Sequence, residues 1–234
     1  MRLRATAVPA GSGRDQRTAV SRYELRRMRE NPLYASRDDQ LVRKLIADNP
    51  WATIVSATQH GVVASHYPVL LDDQPDLALL LHVGRPDEEI HGFGSSEVLV
   101  IIAGANGYIS PSWYTADANP VPTWNFIVAH CYGTPQLLDD DENGNLLTRL
   151  TAHFERHVET PIHLDERVAA RLAPATAGFC VPITRFICKV KVSQDEDPNT
   201  QARVLAALRR PGPYSNPALA EQMQTTLENG ARRR

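Results

Sequence analysis

The sequence predicts an α+β fold in which a β-barrel is flanked by helices. Apolar, β-branched runs bounded by turn residues predict strands over residues 51–57 and 62–71, joined by a hairpin turn at residues 58–61. Alternation of apolar and polar residues returns over residues 179–192, whereas residues 142–157 carry apolar residues at helical spacing. Because successive strands are joined by hairpins, a barrel is favoured over a doubly wound parallel sheet.

The remaining elements are predicted from the same kinds of pattern. Ser36 is the predicted N-cap of a first helix, which the Asn49-Pro50 pair ends. The other predicted strands cover residues 77–83, 98–103 and 126–131, and the other predicted helices begin at Pro86 or cover residues 164–172, 200–208 and 217–227.

Composition divides the chain into two regions. Residues 1–30 are rich in Arg, Gly and Ala without sustained apolar periodicity, so a poorly ordered N-terminal extension is predicted. Residues 31–234 are predicted to form a single domain that includes the C-terminal helices. A length of 234 residues suits one domain.

Charge and cysteine content narrow the possible partners and location. A formal net charge of -2 and the lack of a basic recognition helix argue against nucleic-acid binding as the function. Apolar runs are too short to cross a membrane, and the N-terminus lacks the apolar core of a signal peptide. Three cysteines without CxxC spacing are expected to be reduced thiols, so a cytoplasmic protein is predicted.

Residues 108–125 concentrate aromatic and proline residues. Rigid rings on a backbone stiffened by prolines predict a connector between strands that forms one wall of a pocket for a flat ligand. Ser110, Trp113 and Trp124 are therefore candidate cofactor-binding residues. The alternative interpretation of the same stretch is an aromatic corner of the core.

Histidines and cations supply further candidates. His66 and His82 lie in predicted strands and could face one pocket, although either could instead be a hydrogen-bonded structural residue. His91 ends the short acidic helix, a segment with little reason to hold a core histidine. Arg85 and a row of three residues on one side of the last predicted strand form a candidate anion site. The alternative is a row of solvated lysines at a barrel edge. The members of that row are Lys189, Lys191 and Ser193.

Several of these motifs together resemble a known family. Residues 32–208 resemble the PaiB family of FMN-binding negative transcriptional regulators. The resemblance implies a homodimeric split β-barrel related to pyridoxamine phosphate oxidases, with cofactor clefts at the dimer interface. The matching segments, in order, are PWATIVS, ASHYP, HVGR, YISPSWY, VPTWN and KVKVSQ.

One segment departs from the family pattern. Residues 84–89 read GRPDEE where the family typically has Ala-Arg-Ala-Asn-Pro, and three consecutive carboxylates would repel a flavin phosphate. In this respect the chain is similar to the piperazate synthases, a PaiB-like branch that binds heme in place of flavin. The resemblance therefore implies a heme b enzyme that forms the N–N bond of piperazic acid by dehydrative cyclisation of an amino-acid substrate, N5-hydroxyornithine.

The heme hypothesis assigns a role to each candidate residue. His66 is the first choice as iron ligand, with His82 and His91 behind it, and the cationic residues would face the heme propionates. One of three carboxylates in the acidic helix would hold the substrate amine or take its proton, and the sequence does not indicate which one. These cations are Arg85, Lys189 and Lys191, and the carboxylates are Asp87, Glu88 and Glu89.

Two alternatives remain open at this point. In an FMN-binding reductase or regulator, His66, Arg85 and the lysine row with Ser193 would serve the phosphate, and Trp113 or Trp124 would flank the flavin ring. A barrel that binds no cofactor and acts as an interaction module is the third possibility.

Overall fold

A computed structural model describes residue 28, residues 31–116 and residues 121–232 of the chain. The predicted N-terminal extension therefore lies, apart from residue 28, outside the described residues. The described strands are β1 Ala35–Ser36, β2 Trp51–Thr58, β3 Gly61–Pro68, β4 Leu70–Leu71, β5 Ala78–Gly84, β6 Val98–Ile109, β7 Thr123–Gly133, β8 Gln136–Leu137, β9 Thr176–Pro182 and β10 Arg185–Lys191. The described helices are α1 Asp39–Asp48, α2 Asp87–His91, α3 Asp140–Glu155, α4 Glu166–Leu172, α5 Pro198–Arg209 and α6 Pro217–Arg232.

The strands form two antiparallel sheets. The six-stranded sheet has the order β1-β10-β7-β6-β2-β3, and the four-stranded sheet has the order β4-β5-β9-β8. All pairs of adjacent strands in the two sheets of the described residues are antiparallel. The predicted α+β class is thus confirmed, with two sheets sharing one core.

The chain changes sheet where the sequence suggests continuous strands. The predicted strand 62–71 divides at Val69 into β3 and β4, and the alternating segment 179–192 divides into β9 and β10. At the second change, Ile183 N donates to Leu77 O at 2.8 Å and Thr184 N donates to Tyr132 O at 2.9 Å. The two amides therefore tie the bend to both sheets, which the apolar pattern alone does not reveal.

The main core lies between the two sheets. Alternate residues of β2 and β6 face alternate residues of β5 and β9, and α1, α5 and α6 add apolar side chains to the same cluster. The N-cap of α1 is Asp38 and not the predicted Ser36, because Asp38 Oδ1 accepts from Gln40 N at 3.1 Å and Leu41 N at 3.3 Å. Ser36 lies in β1, two residues before Asp38, and pairs with Cys188 of β10.

The outer face of the four-stranded sheet is covered by α3. A second cluster joins Leu70 and Leu80 of this sheet to Leu146 and Leu150 of the helix. An Asp139–Glu142 capping box fixes the start of α3. Among the described residues, no helix combines the length and apolar character of a membrane span.

Gly133 tests packing at the sheet-to-sheet bend, and Gly144 in α3 is a control for the same substitution. A Cβ on Gly133, at the end of β7, would collide with the Pro182 carbonyl oxygen and lie 3.0 Å from Val181 Cγ1. A Cβ on Gly144, inside α3, would meet no atom within 4 Å. The backbone of Gly133 is therefore closely approached, whereas Gly144 has space beside it.

We expect Gly133→Ala to lower the free energy of unfolding by about 2 kcal/mol, because the bend must shift. Gly144→Ala should raise it by about 0.5–1 kcal/mol, because alanine loses less backbone entropy in a helix. Urea unfolding monitored by circular dichroism measures both variants. Equal effects of the two substitutions would contradict the close approach at Gly133.

Candidate functional site

The six-stranded sheet has one face directed away from the core, which we call the open face. The strand register aligns its members: Thr53 lies opposite both His66 and Ile101, and Ile101 lies opposite His130. Lys189 lies opposite Val128 in the neighbouring row. The open face comprises Trp51, Thr53, Val55 and Ala57 of β2, Val62, Ala64, His66 and Pro68 of β3, Leu99, Ile101, Ala103, Asn106 and Tyr108 of β6, Trp124, Phe126, Val128, His130 and Tyr132 of β7, and Arg185, Ile187, Lys189 and Lys191 of β10.

The open face is apolar at its centre and basic along β10. Trp51 is 64% exposed, Val62 76% and Trp124 50%, which is unusual for large apolar side chains within one sheet. None of the strand residues that we assign to the open face is acidic. Such a surface suits a flat aromatic ligand that carries negative charge, or a second apolar surface.

His66 lies exposed on the open face, where the sequence pattern predicts a ligand. Its Nδ1 is hydrogen-bonded to Thr53 Oγ1 at 3.0 Å, and its ring stacks on Trp51 with centroids 6.3 Å apart. The ring is thereby oriented from two sides, and Nε2 remains available for a ligand.

His82 lies on the other sheet. It lies in β5, opposite Gly178 of β9, and on the same face as Leu80, which packs against α3. Its Nδ1 is buried and has no hydrogen-bond partner within the described part of the chain, and burial lowers the pKa of the ring. The structure does not bring His66 and His82 into one pocket, because the chain changes sheet between β3 and β5.

His91 is enclosed by hydrogen bonds. It is 1% exposed, with Nδ1 2.9 Å from Ser56 Oγ and Nε2 2.8 Å from Ser65 Oγ. Its ring packs on Phe93 with centroids 4.7 Å apart. Burial lowers the pKa of His91, and the charge of nearby Asp87 opposes that shift. With both ring nitrogens engaged, the predicted iron-ligand role of His91 has no free donor atom, and the residue anchors α2 to β2 and β3.

The acidic residues of α2 also have partners within the chain. Tyr67 donates its hydroxyl proton to Asp87 in a short hydrogen bond, and Arg85 Nη1 lies 2.5 Å from Glu88 Oε1. The pKa of Tyr67 is raised to about 12, chiefly by burial and then by the hydrogen bond to Asp87. Glu89 is exposed. Because adjacent strand residues point to opposite faces, Tyr67 and its acidic partner lie on the side of β3 opposite to His66.

The predicted aromatic connector is partly strand. Ser110 caps a 3-10 turn at Pro111–Trp113, and its Oγ accepts from Ser112 N at 3.3 Å. Trp113 is partly buried against Tyr214, with ring centroids 6.2 Å apart. Trp124 belongs to β7, and its Nε1 donates to Asn106 Oδ1 at 3.1 Å. The rings of Tyr214 and Tyr108 connect the two tryptophans, and Trp124 lies on the open face.

The predicted row of two lysines and a serine holds only for the lysines. Lys189 lies near the Phe126 ring, with Nζ 5.7 Å from its centroid. Lys191 donates to Thr123 Oγ1 in a short hydrogen bond at the end of β10. Ser193 has a φ of 58°, is 3% exposed and accepts from Asn125 Nδ2 at 2.8 Å. The left-handed backbone breaks the period of two, so Ser193 turns inward.

Two polar residues of interest carry no clear signal in the sequence. His130 shares a row of the open face with His66, and burial lowers its pKa. Its position follows only once the pairing of β7 with β6 and β10 is known. Asn125 is completely buried beside Ser193, and its Oδ1 bonds to none of the residues that the structure describes. An asparagine next to a tryptophan in a strand is a weak pattern by itself.

Comparison with protein families places residues 28–185 in a family described as "Putative FMN-binding domain". The chain belongs to this FMN-binding family. A curated relative, "Protease synthase and sporulation protein PAI 2" of Bacillus subtilis, is 26% identical over 189 residues, covering 78% of this chain and 90% of the relative. An uncharacterised protein of Saccharomyces cerevisiae is 32% identical over 103 residues, covering 41% of this chain and 61% of that protein. The predicted PaiB-like membership is thus confirmed.

Solved structures confirm the split β-barrel fold. The FAD and heme binding protein from Mycobacterium smegmatis matches with a TM-score of 0.54 and 16% identity, covering 72% of this chain and 78% of that chain. The flavocytochrome Anf3 from Azotobacter vinelandii matches with a TM-score of 0.53 and 16% identity, covering 75% of this chain and 74% of that chain. At this level of identity the likeness establishes the fold alone.

The buried His91 predicts a pH dependence of stability. Its pKa in the folded protein lies below the ordinary 6.5, so the unfolded chain binds the proton more tightly. Stability is therefore full above about pH 6.5 and falls as the pH drops below it. We expect the loss of unfolding free energy between about pH 7.5 and about pH 5.5 to be smaller in His91→Gln than in the wild type.

Urea titrations at the two pH values measure this difference. The variant will be less stable at both, because two hydrogen bonds change, so the pH-dependent part is the informative quantity. His60→Gln, in the exposed turn between β2 and β3, is the control and should keep the wild-type pH dependence. An unchanged pH dependence in His91→Gln would show that His91 does not contribute to it.

Proposed function

We propose that this protein is an FMN-binding redox protein that holds the flavin on the open face of its six-stranded sheet. The observation that carries the proposal is the combination of an apolar centre, a basic strand and the absence of acidic residues among the strand residues of that face. An isoalloxazine ring needs apolar and aromatic surface, and its phosphate needs cations. Membership of the FMN-binding family supports the same assignment.

Lys189 on the open face fits a flavin phosphate better than two of the phosphate-binding residues predicted from the sequence. Lys189 forms no ion pair among the described residues and suits the phosphate, whereas Arg85 is already paired with Glu88 and Ser193 is turned inward. Trp124 supplies apolar surface for the ring. His66, fixed through Nδ1 by Thr53, can hold a proton at Nε2. When bound, the flavin would supply one- or two-electron redox chemistry.

The same face also supports a homodimer with the cofactor at the interface. A monomer that leaves side chains such as Trp51 and Val62 mostly exposed gains hydrophobic free energy when a second copy covers them. A twofold axis would place the open faces of two copies against each other, because an isologous interface uses the same patch twice.

The free cysteines support a cytoplasmic location. Cys131 and Cys188 are buried and Cys180 is partly buried, and none is in a disulfide. Burial raises the pKa of Cys131 and of Cys188 to about 12, which keeps both thiols protonated and unreactive. Reduced thiols are typical of reducing compartments.

A heme-dependent piperazate synthase acting on N5-hydroxyornithine is the second candidate. The observation that favours it is His66, an oriented histidine on an apolar surface whose Nε2 bonds to none of the described residues. Against it, the carboxylates proposed for the substrate amine are engaged elsewhere. Asp87 binds Tyr67 on the opposite side of β3, and Glu88 binds Arg85. The flavin proposal needs none of these carboxylates on the open face, so it is better supported.

An absorption spectrum of the purified protein followed by flavin titration tests the cofactor. We expect two broad flavin bands that bleach on reduction, and about tenfold weaker FMN binding in Lys189→Gln, because a charge-assisted hydrogen bond to the phosphate is lost. Riboflavin, which lacks the phosphate, should bind both proteins equally. Lys44→Gln, which removes a cation paired with Asp48 on α1, is the control.

Two results would overturn this assignment. A single intense Soret band in the untreated protein would favour the heme candidate instead. Unchanged FMN affinity in Lys189→Gln, with Lys44→Gln also unchanged, would remove Lys189 from the phosphate site.

Analytical ultracentrifugation tests the proposed dimer. We expect the wild type to sediment as a dimer and Val55→Arg to sediment as a monomer, because each copy would bury an arginine without a counter-charge in the apolar interface. Because arginine is positively charged, the variant still attracts an anionic cofactor. Loss of the dimer would therefore not result from repulsion of that cofactor. Leu137→Arg is the control, since Leu137 is 62% exposed on β8 of the other sheet. A dimeric Val55→Arg protein would place the interface elsewhere.

A further inference from the structure

A small cavity lies where β7 begins and β10 ends. Its volume is about 180 Å³, room for about six water-sized groups. It is separate from the centre of the open face and adjoins it only through Lys191. Its polar lining includes Tyr34, Tyr114, Asn125, Lys191, Asp195 and Glu196.

Asn125 lines the cavity and carries an unused hydrogen-bond acceptor. The side chain is completely buried, and its Nδ2 donates to Ser193 Oγ at 2.8 Å. Its Oδ1 has no partner in the structure. A buried carbonyl oxygen without a hydrogen bond is destabilising by roughly 1–3 kcal/mol, so a ligand that brings an N–H or O–H donor would remove this penalty.

The charges around the cavity favour a cation. Asp195 and Glu196 contribute two carboxylates, and Tyr34 donates its hydroxyl proton to Asp195 Oδ2 at 2.6 Å. Burial and this hydrogen bond raise the pKa of Tyr34 to about 12, so the phenol is neutral near pH 7. Lys191 is the basic residue in the lining and donates to the neutral Thr123 hydroxyl, so the two carboxylates and this ammonium leave one net negative charge. A phosphate would meet these carboxylates at close range.

A metal ion fits this lining less well than an organic cation. Among the residues that the structure describes, no group of three or more His, Cys, Asp or Glu side chains is arranged to hold a metal. A primary ammonium group, in contrast, needs only two or three acceptors and can keep its alkyl part against Val121 and Pro122, which also line the cavity.

We propose that this cavity is a binding site for a small primary amine in its protonated form. Asn125 Oδ1 and the Glu196 carboxylate accept the ammonium N–H bonds, and Asp195 adds negative charge beside them. The site needs neither a flavin nor the open face, so it stands apart from the function proposed above. Because Ser193 turns inward, its hydroxyl accepts a hydrogen bond from Asn125 and orients the asparagine in this site.

Isothermal titration calorimetry on the purified full chain tests the site with three probes of similar length. These are n-butylammonium, 1-butanol and butyrate. We expect the ammonium to bind at least tenfold more tightly than the alcohol, and butyrate to show no binding, because only the ammonium provides both charge and donors. Glu196→Gln keeps the shape and should weaken ammonium binding about tenfold. Glu221→Gln, on the exposed side of α6, has the same charge change and should have no effect.

The design separates this site from the flavin proposal. Lys189→Gln should bind n-butylammonium as the wild type does, whatever it does to FMN. In a proton–nitrogen correlation spectrum, the Asn125 side-chain amide should shift with n-butylammonium and not with 1-butanol. If Glu196→Gln fails to fold by circular dichroism, Asp195→Asn replaces it, with the same expected direction.

Several results would overturn the proposal. Equal affinity for the alcohol and the ammonium would show an apolar pocket, and preference for butyrate would show an anion site. Sodium ions that displace n-butylammonium at equal concentration would show an inorganic cation site. Wild-type ammonium affinity in folded Glu196→Gln and Asp195→Asn would place the binding elsewhere on the chain.

Discussion

The six-stranded sheet has two largely apolar faces, and the fold buries only one of them. On the core face, Ile54, Val100 and Ile102 pack against the four-stranded sheet. On the open face, side chains between them in sequence remain partly exposed, because no second sheet lies against them in the described part of the chain. Successive side chains of a strand point to opposite faces. When one residue is buried in the core, its neighbours in sequence therefore lie on the open face, where a ligand or a partner can contact them. The position of His66 and Lys189 follows from that constraint.

Much of this arrangement follows from local pattern. The hairpin of β2 and β3 and the helices α1, α3, α5 and α6 are predicted from periodicity, capping residues and turn signals, with bounds that differ by a few residues. The lysines of β10 are correctly assigned to one side of a strand. The motifs that resemble the PaiB family supply the split-barrel topology, which alternation alone does not define.

What local pattern misses depends on pairing between distant strands. His66 and His82 look equivalent as strand histidines, and only the change of sheet at Val69 separates them. Ser193 continues an alternating pattern, but a single left-handed residue reverses its direction. The acidic run at Asp87 reads as a reactive cluster until the partners Tyr67 and Arg85, set by tertiary packing, are seen to engage it.

The contacts of α2 bear on the edge of the sheet. β3 is an edge strand, held on one side by β2, and strands of this kind can slip in register. A slip of one residue would exchange His66 for Tyr67 on the open face. Tyr67 is bound to Asp87, and Ser65 is bound to His91, so a short helix holds β3 at two points on its core side. The acidic helix thus acts as a register lock, which keeps a histidine and not a phenol in the row that faces outward.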